Sequence, residues 1–534
     1  MAYDEEEEEV LESTIELGVK SANVASFVAL AQVAAVIING ITLVVIARML
    51  DPSDYGAYSI AFALAAFFGA LCNIGFGNYL NKRTPHLMAR KDGRGMSEMF
   101  VDAFVFTTAI GIASLLVGVA LSGVISAYVF HSPAYAALID FTMISVVVTA
   151  LLNLVHSALI GFGDGKDAAA TYISNNVFLA LASISLVYLT HSAMGAISGI
   201  IVGPLVGTVV GLAIVSRRFG LRFNPRGMLK RAREMFAFSL PIAGGNVANG
   251  LVSNFSVPFL GLFVLPALVA PFGLALRLGS LISIEMGFVG VVLIPLFANA
   301  LEKTKKLGGL KELYNYSIYF GVLITAPIVA YLADFPQAIL TTLFPAYASA
   351  GMSVVYYIPL IGAGILLGII GNYGASLAIS AGDVRKNLKY TVIVSAVQFA
   401  SVLALVPFLN GYGLGAYGAI IGFFIIGGVV SDCLYMKYAS ERMRIRTELG
   451  GLIGILLATA VMAAVVFPIN LMGVSTTIKL LIGAVAFLLL YPPLLVKTGA
   501  LGGKELALLE KMGRKVQMVG WLISLLAAYA SLFA

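Results

Sequence analysis

Arg277 is the residue of this chain whose chemistry most needs an explanation, because it stands inside a long apolar stretch. It lies about nine residues into the stretch 268–298, which at about 1.5 Å per helical residue places it near the middle of a membrane. A guanidinium in hydrocarbon costs about 3 kcal/mol or more, so it is retained beside a cavity or a partner. Its planar fork also matches phosphate oxygens. Arg277 is therefore either an anchor for an anionic group or half of an ion pair between helices.

Three carboxylates in apolar stretches are candidates for coupling to a proton or a cation: Glu285, Asp140 and Asp432. Glu285 follows Arg277 in the same stretch, about 80° round the helix and about 12 Å further along it. The two side chains therefore cannot form a direct pair. Glu285 either couples transport to an ion or pairs with another helix.

Carboxamides are the third group of candidates. The seventh apolar stretch carries Asn246, Asn249 and Asn254, and the first carries Gln32 and Asn39, with Arg48 at its outer end. Such amides suit sugar hydroxyls, but they also join membrane helices by hydrogen bonds, and both interpretations stay open. For Arg48, snorkelling to the interface is the alternative. Buried polar residues elsewhere, such as His156, Asn175 and Asn176, fit helix packing better than function.

These side chains need membrane helices to position them. The chain is 60% hydrophobic and only 11% charged, which is typical of a polytopic membrane protein. Backbone groups in hydrocarbon must be satisfied internally, so long apolar runs predict an all-α fold. We predict fourteen spans, at residues 24–48, 56–80, 101–130, 136–162, 168–190, 194–216, 235–263, 268–298, 313–333, 350–380, 388–410, 413–436, 448–470 and 476–496. Residues 516–534 form either a fifteenth span or an interfacial helix.

Nearly all of the 33 lysines and arginines lie in alternate gaps between the predicted spans. The positive-inside rule makes those gaps cytoplasmic and, with fourteen spans, places both termini in the cytoplasm. The cations then act as topology determinants that contact lipid headgroups, and nucleic acid is not expected as a partner. The pattern of residues contains no metal-ligand cluster and no nucleophile beside a base, so we expect neither an enzyme nor a cofactor.

The chain also repeats itself. Residues 50–58 resemble 264–272, residues 130–136 resemble 344–348, and residues 163–166 resemble 382–386, in the same order. An offset of six spans, an even number, gives both copies the same orientation and predicts a substrate site between them. The predicted organisation is an acidic tail at 1–23, an N-lobe at 24–216, a basic linker at 217–234, a C-lobe at 235–437, two further spans at 448–496 and a basic and apolar C-terminal segment at 497–534.

The repeated segments resemble the polysaccharide-transporter branch, Wzx-type lipid-linked oligosaccharide flippases, of the multidrug/oligosaccharidyl-lipid/polysaccharide exporter superfamily. The residues that carry the resemblance are 47–50 with 54–59, Gly75, Leu343 and Phe344 with Tyr347 and Ala348, and Gly382 and Asp383 with Lys386. Pro345 departs from the glycine that is frequent in the family. The resemblance implies two six-helix lobes in a V around a cavity lined by spans 1, 2, 7 and 8.

It further implies alternating access that moves a polyprenyl-linked oligosaccharide from the cytoplasmic to the outer leaflet of the cell membrane. Arg277 would hold the anionic headgroup, the amides would contact sugar, and a proton or sodium gradient would drive the cycle. The expected partners are the lipid-linked glycan, membrane lipids and glycan-assembly enzymes, around a monomeric protein. A cation-coupled exporter of drugs or metabolites, a lipid II-type flippase, and a membrane scaffold without vectorial activity are the alternatives.

Overall fold

The structure is a computed structural model. It describes residues 27–28, 30–282, 293–294, 297, 300–301, 308–348, 353–503, 505–507 and 520–533. Regular structure in these ranges is helical, with no strand, and twelve of their helices are long and apolar enough to cross a membrane. Counting the bent helix Met228–Gly261 as one more span gives thirteen. The predicted all-α polytopic class is confirmed. The part of the predicted span 268–298 that follows residue 282 lies largely outside the described residues.

The chain divides into two compact units, Met1–Gly273 and Leu274–Ala534. The helices of the first unit are α1 Leu30–Met49, α2 Pro52–Cys72, α3 Phe76–Ala89, α4 Gly93–Val129, α5 Ala136–Gly161, α6 Gly165–Thr190, α7 Ala193–Phe219 and α8 Met228–Gly261. The boundary between the units falls within α9, Pro266–Ile282. The predicted lobes at 24–216 and 235–437 stay a prediction.

The second unit contains eleven further described helices, numbered α10 to α20. These are α10 Gly308–Asp334, α11 Pro336–Leu343, α12 Pro345–Ala348, α13 Ser353–Leu367, α14 Ile369–Ser380, α15 Val384–Asn410, α16 Gly415–Ile420, α17 Gly427–Met443, α18 Gly450–Val466, α19 Thr476–Lys497 and α20 Gly520–Ser531. A π-helical turn, Ile421–Ile426, joins α16 to α17. Helix α20 lies in the segment 516–534, for which a fifteenth span or an interfacial helix is predicted. It packs against α19, where the Tyr529 hydroxyl donates to the Leu489 carbonyl at 3.2 Å.

Helix starts follow local sequence. Asp51 caps α2 by accepting the amide of Asp54 at 2.8 Å, and Pro52 occupies the first helical position, where its missing N–H costs nothing. Asp92 caps α4 in the same way through the amide of Gly95 at 2.8 Å. These caps explain why the spans begin at these residues.

Helices α6 and α7 lie unusually close together because glycines line their contact. A Cβ atom at Gly199 would come within 2.4 Å of the Leu179 carbonyl, and one at Gly203 within 2.6 Å of the Asn175 carbonyl. Real Cβ atoms do not approach backbone atoms that closely, so these positions admit only glycine in this packing. Small residues at such an interface let two membrane helices approach each other.

The third pair of repeated segments occupies equivalent places in both units. Asp164 precedes α6 and Asp383 precedes α15. In the first unit Arg218, near the end of α7, forms an ion pair with Asp164. In the second unit Arg442, near the end of α17, contacts Asp383 at 3.3 Å. In each unit, therefore, an ion pair between an aspartate and an arginine joins the start of one helix to the end of the next span.

The basic linker predicted at 217–234 is fastened to the start of α4. Arg231 donates to both carboxylate oxygens of Asp102, at 2.6 and 3.3 Å, and contacts Glu98 at 3.2 Å. Ser97 donates its hydroxyl to the Gly220 carbonyl at 2.7 Å. The Asp102 side chain is only 3% exposed, so its carboxylate is withdrawn from solvent, whereas Arg231 is 29% exposed. Part of the basic charge in the linker thus serves packing within the first unit.

Candidate functional site

A cavity of about 540 Å³ lies inside the first unit, among α2 to α8. This volume is within the range of about 300 to 1,000 Å³ that is usual for small-molecule sites. We call it the unit 1 cavity. Its polar lining consists of Asn73, Asn78, Thr107, Ser145, Thr149, Asn153, His156, Ser157, Tyr172, Asn175, Asn246 and Asn254. None of the described residues that line the cavity is an aspartate, glutamate, lysine or arginine.

The break between α2 and α3 forms one wall of the cavity. Asn73, Gly75 and Asn78 line it there, and Gly75 adopts a φ of 84°, a left-handed conformation that favours glycine. The Gly75 carbonyl accepts the hydroxyl of Ser239 on α8 at 3.2 Å, which holds the break against that helix. The C-terminal end of one helix and the N-terminal end of the next meet at this wall, so their opposite partial charges largely offset each other.

His156 on α5 and Asn175 on α6 both line the cavity, and each has one polar side-chain atom that is buried from solvent. His156 Nε2 and Asn175 Oδ1 have no hydrogen-bond partner within the described part of the chain. The His156 ring lies beside Tyr172, with 5.2 Å between ring centroids and 35° between ring planes. A buried polar atom without a partner costs about 1–3 kcal/mol, so such atoms point to a polar ligand or water.

Two of the predicted amides reach the cavity. Asn246 and Asn254 on α8 line it, and the Asn254 amide donates to the Gly250 carbonyl at 2.8 Å. Asn249 on the same helix is exposed and is not part of the lining. Helix α8 comes close to α2 at Gly250, which faces Ala70. A Cβ atom added to this glycine would lie only 2.7 Å from the Ala70 Cβ atom, so the close approach depends on glycine.

The predicted residues of α1 are not in the cavity lining. Asn39 donates its amide to the side-chain oxygen of Asn176 at 2.9 Å, and Asn176 donates to the Tyr172 carbonyl at 2.7 Å. These bonds join two helices, which is the packing alternative for such amides. Gln32 is half-buried, and Arg48 is exposed at the end of α1. Their contact with a substrate stays a prediction.

The predicted charged residues also lie apart from the lining. Arg277 is half-buried on α9 in the second unit, where its carbonyl accepts the Ser280 hydroxyl at 2.7 Å. Asp140 on α5 has one buried oxygen without a hydrogen-bond partner in the described ranges. Glu285 lies outside the described residues. The roles of these three side chains stay predictions.

Asp432 caps a helix inside the second unit. Its Oδ1 accepts the Gly371 amide at 2.7 Å, across from α17 to the first turn of α14. Helix α14 begins at Ile369, directly after a break at Gly368, so its first amides lack partners within the helix. The carboxylate satisfies one of them. This contact gives Asp432 a structural role, and ion coupling at Asp432 stays a prediction.

Helix α5 has a polar face that lies outside the set of site residues predicted from the sequence. Ser145, Thr149, Asn153 and His156 follow one another at three- or four-residue spacing and line the cavity together. That spacing places side chains on one face of a helix. The spacing of these four residues is visible in the sequence, whereas the residues of other helices that complete the cavity cannot be identified from it. The amide, the two hydroxyls and the imidazole of this face can donate and accept hydrogen bonds, which suits recognition of an uncharged polar ligand.

Comparison with known proteins places these features in a family. Residues 22–301 match the family described as polysaccharide biosynthesis protein. None of the curated proteins matches the chain in sequence.

Solved structures share the fold at low sequence identity. An inward closed conformation of the lipid II flippase MurJ has a TM-score of 0.68 at 14% identity, covering 87% of this chain and 97% of its own. An inward-facing multidrug resistance transporter of the MATE family, in the MOP superfamily, has a TM-score of 0.64 at 16% identity, covering 78% and 98%. A MOP superfamily transporter from Pyrococcus furiosus has a TM-score of 0.52 at 15% identity, covering 80% and 95%. At these identities the likeness is one of fold.

Proposed function

Because the chain belongs to the polysaccharide biosynthesis protein family, we propose that it moves a lipid-linked glycan across the membrane by alternating access. The fold is shared with a lipid II flippase and with multidrug transporters, all of which carry a substrate across a membrane. The observation that carries the choice of a glycan is the unit 1 cavity, whose described lining combines many neutral hydrogen-bonding side chains with apolar surface and includes no aspartate, glutamate, lysine or arginine. An exporter of organic cations would favour a carboxylate in such a place, since an unpaired cation is costly to bury.

In this proposal Arg277 holds the phosphate or pyrophosphate of the carrier lipid. A guanidinium stays charged and binds phosphate oxygens with two parallel hydrogen bonds. Arg277→Ala should therefore lose transport while the protein still inserts and folds. Arg277→Lys should retain part of the activity, because the charge remains without the fork. Full transport by Arg277→Ala would refute the headgroup role.

The proposal is tested with purified full-length protein in liposomes that contain a fluorescent polyprenyl-pyrophosphate trisaccharide. A membrane-impermeant quencher reports the fraction of lipid in the outer leaflet, with and without imposed proton and sodium gradients. Protein-dependent movement of the glycolipid is the expected result. Protein-free liposomes and liposomes loaded with a fluorescent organic cation are the controls. Movement of the cation alone would overturn the glycan proposal in favour of drug export, and movement of neither would indicate a role without vectorial transport.

A further inference from the structure

We infer that the unit 1 cavity binds the uncharged sugar residues of the transported glycan and discriminates against acidic sugars. The inference rests on the proposed function and adds the substrate class of this cavity. Among the described residues that line it, the cavity has hydrogen-bonding groups of many kinds but no aspartate, glutamate, lysine or arginine. Carrier phosphate and sugar carboxylate would both lose their hydration there without gaining a cation, at a cost that neutral hydroxyls avoid.

The balance of donors and acceptors matches a sugar. Each carboxamide, such as Asn153 or Asn246, can donate and accept at once, and so can each sugar hydroxyl. Asn175 offers a buried acceptor, and His156 Nε2 can serve as donor or acceptor according to its tautomer. A sugar hydroxyl that reached either atom would satisfy its hydrogen bond without introducing charge. His156 and Asn175 are therefore the central hydrogen-bond partners of the bound sugar.

The rest of the lining suits the apolar faces of sugar rings. Tyr172, Phe62 and Phe76 contribute aromatic rings to the cavity wall. Ligand sites combine such surfaces with a small number of placed polar groups that fix orientation. The helix ends that meet between α2 and α3 add little net charge, since they are of opposite sign. The described part of the wall therefore offers neutral donors but no lysine or arginine whose charge would compensate a carboxylate on the sugar.

The test measures binding of soluble sugars to the purified full-length protein in detergent by saturation-transfer NMR. The probes are maltotriose and chitotriose, which are neutral, and trigalacturonate, which has similar length and carries carboxylates. We expect saturation transfer to a neutral trisaccharide, and a decrease of at least fivefold in the variants His156→Leu and Asn175→Leu. Trigalacturonate should give no signal that depends on these residues.

A matched control removes an amide elsewhere. Gln337 is exposed at the start of α11 in the second unit, and Gln337→Leu should leave the sugar signal unchanged. Thermal unfolding of each variant, followed by circular dichroism, shows that it is folded. A complementary variant reverses the specificity: Asn153→Lys places a cation at an exposed position of the lining and should allow trigalacturonate to bind.

The inference is overturned if neither neutral trisaccharide gives a signal that depends on His156 and Asn175, or if trigalacturonate binds the unaltered protein as well as they do. This failure differs from failure of the proposed function. Liposomes that move the glycolipid while the NMR test is negative would retain the transport proposal and reject the sugar subsite. Sugar binding without glycolipid movement would retain the sugar subsite and reject the transport proposal.

Discussion

Replacing Arg231 with alanine should destabilise the first unit, because it leaves the Asp102 carboxylate buried without its partner. Asp102 is 3% exposed and receives two hydrogen bonds from Arg231, at 2.6 and 3.3 Å. Breaking a fully buried pair costs about 3–5 kcal/mol. The Arg231 side chain is 29% exposed, so solvent screening reduces the expected loss to about 2–3 kcal/mol.

The assay is thermal unfolding of the detergent-purified protein, followed by circular dichroism at neutral pH. A loss of this size should lower the melting temperature by about 5 °C, from the usual scaling of stability with domain size. Lys230→Ala is the matched control, since it also removes one positive charge and Lys230 is exposed in the same turn of α8. A surface substitution of this kind should change stability by no more than about 0.5 kcal/mol.

A double-mutant cycle separates the pair from the general loss of charge. Arg231→Met with Asp102→Leu should cost less than the sum of the single substitutions, because replacing both partners by apolar residues leaves no buried charge unpaired. Equal destabilisation by Lys230→Ala, or strict additivity of Arg231→Met and Asp102→Leu, would refute the reasoning.

Two further predictions concern the contacts of single residues. The Tyr438 hydroxyl, at 2.9 Å, and then the Arg442 guanidinium lower the pKa of Asp383 below its usual value, so the contact stabilises the fold above about pH 4 and is lost as pH falls through the lowered pKa. Asp383→Asn should therefore flatten the decrease in melting temperature between about pH 5 and pH 3, and an unchanged slope would argue against the contact. Gly199→Ala should destabilise by at least about 1–3 kcal/mol, because its Cβ would lie 2.4 Å from a carbonyl of α6. In the same unfolding assay Gly123→Ala, where no atom lies within 4 Å of the added Cβ, should be neutral or slightly stabilising, and equal losses in both would contradict the packing argument.

The class of fold and many of the helix boundaries follow from the amino-acid sequence alone. Runs of apolar residues must be helical in a membrane because every backbone group has to find a partner within its own segment. Aspartates such as Asp51 and Asp92 mark helix starts, since their side chains satisfy the first free amides. These are local requirements that depend on neighbouring residues only. The polar stripe on α5 belongs to the same category, because it depends only on helical spacing.

Which polar residues meet depends on how the helices pack against each other. Asn39 and Asn254 are both amides in apolar stretches, yet Asn39 bonds to Asn176 on another helix while Asn254 lines the unit 1 cavity. The place of Asp432 in an apolar stretch makes it a candidate for ion coupling, and its bond to Gly371 is visible only once α17 lies against the broken start of α14. Periodicity gives the face of a helix on which a side chain lies, but not what that face contacts. That depends on how closely the helices approach, which is set by contacts between residues far apart in the chain.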